Sequence, residues 1–286
     1  MTLITIYGSN SSDTFNPSIF GSGYTSYRIY GNGGDDVITV DTPIPTVING
    51  GDGNDTIHLY TANDIAHGDN GDDTINGGGG SDTIYGDAGN DILNGENGDD
   101  FIFGGAGNDI LNGGAGNDLL SGGKGHDVIF GGIGDDTIYG NKGNNTLSGG
   151  DGNDYINTGD HTSTVDGGTG DDLINARLKK GGDHVLTGGE GADTFEFVFQ
   201  SAKKSADVIV TDFDLGVDQF VIGDVLGQEW VDAAFAFGAA FGVDILTEVD
   251  GNAVLDIGFN DTITFEGISE EDFLTYYAPD DALIAV

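Results

Sequence analysis

The polarity of this chain has a period of nine. Between Gly50 and Asn175 one apolar residue returns at the eighth place of every block: Ile57, Ala66, Ile75, Ile84, Leu93, Ile102, Leu111, Leu120, Ile129, Ile138, Leu147, Ile156, Val165 and Ile174. Fourteen blocks fill these 126 residues without remainder. The residues on either side of the apolar one vary freely, so each block holds a triplet with one inward and two outward positions, which is strand alternation. One three-residue strand cannot bury its single apolar residue, but stacked neighbours can. The pattern predicts an all-β stack of short strands joined by turns, with a core drawn out along a line. A flexible glycine-rich linker would need no apolar column in strict register. After residue 200 the signals change. Strands are expected at 253–258 and 262–266 around a turn at Asp250-Gly251-Asn252, with a short helix within 227–240 and another starting at Ser269-Glu270-Glu271-Asp272.

The polar positions of the block are as regular as the apolar one. Gly104-Gly105-Ala106-Gly107-Asn108-Asp109-Ile110-Leu111-Asn112 is typical, and the sixth place is Asp in twelve of fourteen blocks, with Asn145 and Ser163 the exceptions. Glycine serves where the chain turns tightly and where two backbones approach closely. Such a turn gathers one carboxylate and several main-chain carbonyls, all hard oxygen donors. That donor set suits calcium, which accepts six to eight oxygens in flexible geometry. It does not suit zinc, because the chain has no Cys and its five His are scattered.

The array G-G-x-G-x-D-x-U-x, with U a large apolar residue, resembles the haemolysin-type RTX calcium-binding repeats. The resemblance implies a right-handed parallel β-roll in which two blocks make one turn and calcium lies between loops 18 residues apart. One row of loops then begins at Gly50, Gly68, Gly86, Gly104, Gly122 and Gly140, and the other at Gly77, Gly95, Gly113, Gly131, Gly149 and Gly167, with room for roughly ten Ca2+ ions. The carboxylates expected to hold them are Asp36, Asp55, Asp73, Asp82, Asp91, Asp100, Asp109, Asp118, Asp127, Asp136, Asp154 and Asp172. Blocks 59–67 and 158–166 depart from the pattern, through Leu59-Tyr60-Thr61-Ala62 and Ser163, and no ordinary site is expected there. Asn145 is expected to weaken the sites it touches. Asp207-Val208-Ile209-Val210-Thr211-Asp212-Phe213 to Asp218 is similar to segments that close such rolls, and predicts a mostly β C-terminal cap. The last residues, Pro279-Asp280-Asp281-Ala282-Leu283-Ile284-Ala285-Val286, resemble an uncleaved type I secretion signal. With no basic or cleavable pattern at Met1–Gly8, they imply an extracellular protein that meets type I export machinery.

Charge sharpens this picture. With 49 acidic residues against 8 basic, the net charge is −41, so the compact chain repels itself unless counter-ions enter. Roughly ten calcium ions would offset about half of that excess. Nucleic acid is an unsuitable partner for such a surface, and no apolar run is long enough to form a transmembrane segment. Three regions follow: 1–49 as an N-terminal cap with degenerate repeats, 50–175 as the roll, and 176–286 as last repeat, cap and secretion signal. No metalloprotease His-Glu-x-x-His and no Gly-x-Ser-x-Gly elbow occurs, so the expectation is a non-catalytic protein. Its role would be at a surface, in adhesion or in signalling. A glycan-binding module similar to those of alginate epimerases is the competing expectation, with a cell-surface or extracellular glycan partner. An outward line of Tyr85, Phe101, Phe103, Leu119, Tyr139 and Tyr155, or the basic stretch Lys179–Lys204, would then make the contact. The plainer reading of that line is that aromatics suit strand surfaces, and that of the basic stretch is charge balance beside the acidic roll.

Overall fold

The computed structural model describes residues 3–16, 25–178, 182–199, 207–224, 246–258 and 261–277. The chain winds as a parallel β-solenoid of two facing sheets, and successive strands alternate between them. Among the described residues one sheet has twelve strands, from Leu3–Tyr7 to Gln219–Asp224; the other has fourteen, from Thr14–Phe15 to Leu246–Val249. A full turn takes 18 residues through the repeats, so Ile102 pairs with Ile84 on one side and Leu120 on the other. Later turns are longer: Thr164 pairs with Val185 and Thr194 with Gln219. Both sheets run through residues 49 and 175 without a break.

The eighth-place residues are the core. Ile48, Ala66, Ile84 and Ile102 come from one sheet and Ile57, Ile75, Leu93 and Leu111 from the other, all fully buried in two facing columns. Most strands are longer than the three residues the periodicity predicts. Phe101–Ala106 carries the ladder past the apolar triplet and through the first three loop residues, pairing Gly105 with Asp87 and Gly123. The loops are thus stacked strand extensions, and their main-chain groups bond from turn to turn.

At the C-terminal end the line of aliphatics gives way to aromatics. Phe213, Phe220, Phe265 and Phe273 are buried, with Phe265 ring centroids 5.0 Å from Phe213 and 5.2 Å from Phe273. Val208 and Val210 pair in parallel with Ile263 and Phe265. Strands Leu246–Val249, Asn252–Gly258 and Asp261–Phe265 then turn antiparallel. The helix expected at Ser269 is Glu270–Tyr277, and the Ser269 hydroxyl accepts the Asp272 N–H at 3.1 Å. The helix expected within 227–240, Lys179, Lys180, Lys203, Lys204 and the terminal segment Pro279–Val286 lie outside the described residues. Among the described residues no helix is long and apolar enough to cross a membrane.

Candidate metal centre

The loops lie along two rims, one on each edge of the sheets. One rim holds the loops that open at Gly50, Gly68, Gly86, Gly104, Gly122 and Gly140; the other those at Gly77, Gly95, Gly113, Gly131, Gly149 and Gly167, because alternate strands belong to alternate sheets. Asp55, Asp73, Asp82, Asp91, Asp100, Asp109, Asp118, Asp127, Asp136, Asp154 and Asp172 are all buried, and so is Asp36.

One oxygen of each carboxylate has a structural task. Asp109 Oδ1 accepts the Asp91 N–H at 3.0 Å, and the Asp109 N–H donates to Asp127 Oδ1 at 3.0 Å. The same link repeats along one rim from Asp13 to Asn145 and along the other from Thr46 to Asp218. The other oxygen has none. Oδ2 is buried without a hydrogen-bond partner in thirteen aspartates: the twelve expected ones and Asp64. A buried carboxylate oxygen without a donor is costly. Burial accordingly pushes Asp73, Asp82, Asp100, Asp109, Asp136 and Asp172 up to about 7, although the N–H each accepts pulls the other way. Asp55, Asp64, Asp91, Asp118 and Asp154 rise to about 6 for the same reason.

The space around each orphaned oxygen is kept open by glycine. A Cβ on Gly104 would overlap Asp109 Oδ2 and lie 2.6 Å from the carbonyl oxygen of Gly122, one turn on. A carboxylate oxygen and a carbonyl oxygen therefore converge where a side chain would otherwise stand. Gly50, Gly68, Gly77, Gly86, Gly95, Gly113, Gly122, Gly131 and Gly149 hold the same relation to their own Asp Oδ2. Among the described residues no three acidic, His or Cys side chains come together. A cation here would draw few carboxylates and many carbonyls, which is the donor set calcium takes and zinc does not. The residues fit the ion.

The two exceptional blocks differ from each other. Asn145 Nδ2 donates to the Gly140 carbonyl at 2.8 Å, and Ser163 Oγ to the Thr158 carbonyl at 3.1 Å. Each loop thus satisfies internally a main-chain carbonyl at the place where its neighbours keep a bare carboxylate oxygen. Asp64 behaves otherwise. Although Leu59 stands in place of the opening glycine, Asp64 accepts the Thr46 N–H at 2.6 Å and keeps a bare Oδ2. Block 59–67 keeps its place in the Asp column because that column is set by the ladder and not by the glycines.

Asp193, in the last repeat, and Asp218, at the end of the closing segment, extend the second rim, linked by the Asp193 N–H to Asp218 Oδ1 at 3.0 Å; the turns lengthen there, so a nine-residue frame does not reach Asp218. One feature was missed from sequence. The fifth position, taken as variable, carries a second ladder of opposite sense. Asn90 Oδ1 accepts the Asn108 N–H and Asn108 Oδ1 the His126 N–H, at 2.9 and 2.7 Å. Its signal was present: across the fourteen blocks that place is always polar, and nearly always Asn or Asp. His126 takes part through Nδ1, which accepts the Asn144 N–H at 3.0 Å.

The outward aromatics form interrupted stacks. His67, Tyr85 and Phe103 lie ring on ring at 4.4 and 5.1 Å, while Ser121 breaks the column before Tyr139. Phe101 is exposed in the neighbouring column.

These features define a class: a parallel β-solenoid whose rims are stacked glycine loops with buried, half-satisfied aspartates. The model of the RTX calcium-binding nonapeptide repeat matches residues 28–41, 47–66, 60–93, 67–102, 94–129, 103–138 and 130–160. The chain is an RTX repeat protein, carrying calcium-binding repeats across that span. No curated protein matches it.

Proposed function

We propose that this is a secreted calcium-binding protein that folds when it takes up roughly ten ions outside the cell. The observation that carries the reading is the pair of rows of buried Oδ2 atoms, thirteen in all, without a donor. The ions would be held by the aspartates of the two rows and the carbonyls of the adjoining glycine loops. Each would supply the positive charge that the rims lack. Two supports are independent of the rows. The net charge of −41 opposes compaction in the absence of cations. Two buried aliphatics per turn, about 1.5–3 kcal/mol each, are also far too little to order eighteen residues.

On this reading the chain stays unfolded where free calcium is low, which suits passage through a type I channel, and folds irreversibly in practice once outside. Its role is non-catalytic, at a surface, in adhesion or in signalling. Circular dichroism tests the core of the proposal: in chelator the chain should be expanded with little strand signal, and at millimolar calcium it should gain that signal cooperatively. Equal strand content in both conditions would overturn it.

A further inference from the structure

Seven of the eight basic residues in this chain fall between 124 and 204: Lys124, Lys142, Arg177, Lys179, Lys180, Lys203 and Lys204. The three that belong to the described residues line one groove of about 450 Å3 on the first rim, together with Gly105, Gly123, Asn141, Gly159 and Asp160. The ladder explains its shape. Gly105 and Gly123 occupy the column that carries Asp69 and Asp87 two turns earlier. Where those carboxylates stop, bare main chain forms a floor. Asn141 is pinned beside it, its amide donating to Ser121 Oγ at 2.9 Å and to the Tyr139 carbonyl at 3.3 Å.

The charges are placed for something outside the molecule. Lys124 and Lys142 face each other across adjacent rungs, and both are exposed. Like charges directly opposite in a ladder repel, and among the described residues no ion pair joins either lysine or Arg177. Internal charge balance would put cations where the row carboxylates are densest. Lys124 shares its loop with Asp127, but Lys142 and Arg177 lie on the turns where Asn145 and His184 have replaced the row aspartate. Asp160, which also lines the groove, already has a partner. The outer strip of this rim therefore changes along its length, from Asp52, Asp69 and Asp87 to Lys124, Lys142 and Arg177 with Asp160 among them.

We propose that this groove binds a linear anionic polysaccharide whose sugar units step with the rungs, its acidic groups meeting Lys124, Lys142 and Arg177. Rungs are ~4.8 Å apart, close to the length of one pyranose, and the five from Gly105 to Arg177 span ~19 Å. An extended acidic peptide presents same-side charges every ~6.6 Å and falls out of step with the lysines.

The test uses the full chain in saturating calcium, with dichroism as a check of folding, so that failure to bind is distinguishable from failure to fold. Calorimetry would compare a tetramer of uronic acid, its neutral methyl ester, a sulfated tetrasaccharide and polyglutamate. We expect an acidic sugar to bind at least tenfold more tightly than the ester, and added salt to weaken it. The uronate and sulfate arms identify which acid is taken. The double variant K124Q/K142Q should lose at least tenfold, while R28Q, at the far end of the roll, should bind as the parent does. Equal binding by the double variant would mean that calcium on the acidic loops bridges the sugar, and would overturn the proposal. So would tighter binding of polyglutamate, or equal binding of acid and ester to the parent chain.

Discussion

Each position of the nine-residue block answers a separate physical demand, and the three glycines are not alike. Gly104 is needed for space, beside Asp109 Oδ2. Gly105 has a positive φ of 110°, at which a Cβ would overlap the Asp87 carbonyl oxygen, but Asp87 and Glu96 fit the same place in other blocks with φ of 72° and 76°. Gly107 has a φ of 144°, and a Cβ there would run into the Gly89 carbonyl. Gly105→Asn should therefore shift the melting temperature little, whereas Gly107→Ala should cost more than ~3 kcal/mol, as thermal melts in calcium would show. Asn145 suggests a second experiment. Asp109→Asn keeps the acceptor for the Asp91 N–H and gains a donor toward Gly104, as Asn145 has toward Gly140. It should bind fewer ions than the parent yet retain more structure in chelator, while Asp109→Ala loses on both counts and raises the calcium midpoint several-fold. The raised pKa values give a pH dependence of unusual sign. Unfolded aspartates titrate near 3.8, but the buried ones without metal hold protons up to about 6 or 7. The folded form binds more protons, so the metal-free roll is favoured below about pH 4 and loses that stability as pH rises toward 7. In chelator, strand signal should return on acidification. With calcium present, protons compete for the same oxygens and the midpoint should rise as pH falls.

At the scale of elements, the strands could be located from sequence because their one buried residue keeps a nine-residue phase. Their length could not, because the additional pairs at Gly104–Ala106 come from glycines in conformations that ordinary strand patterns exclude. The rows of Asp were legible for the same reason as the core: any residue in strict register with it must meet its own kind on the next turn. Asp64 keeps its place in the row although its block lacks glycine, and Asp218 stands outside the nine-residue frame because the turns before it lengthen from 18 residues to 21 and then 25. The end of the roll was legible as apolar residues without a period. Phe213, Phe220, Phe265 and Phe273 are buried there. An uncovered strand edge at this end would be a template for aggregation. Phe265→Ala should cost about 3–5 kcal/mol and raise the calcium midpoint, measured by titration. Removal of residues 278–286, which spares Phe273, should abolish export from a host with a type I exporter while leaving a chain that folds in calcium; unchanged secretion would contradict the export role.

At the scale of the whole molecule, the solenoid behaves as a one-dimensional array in which each turn touches only its neighbours. Excision of residues 104–121, one full turn, brings Gly122 to the place of Gly104 and leaves every ladder continuous. The shortened chain should fold in calcium with a similar midpoint and bind about two fewer ions, as calorimetric stoichiometry would show. That tolerance has a less welcome side. A tape with identical markings can be laid down one marking out of place with almost no local penalty, and eighteen residues is the marking here. What fixes the frame must be the blemishes: Leu59 and Ala62 where glycines belong, the neutral turns at Asn145 and Ser163, and the long step from Asp193 to Asp218. The departures from consensus act as index pins for a tape that the consensus alone cannot align.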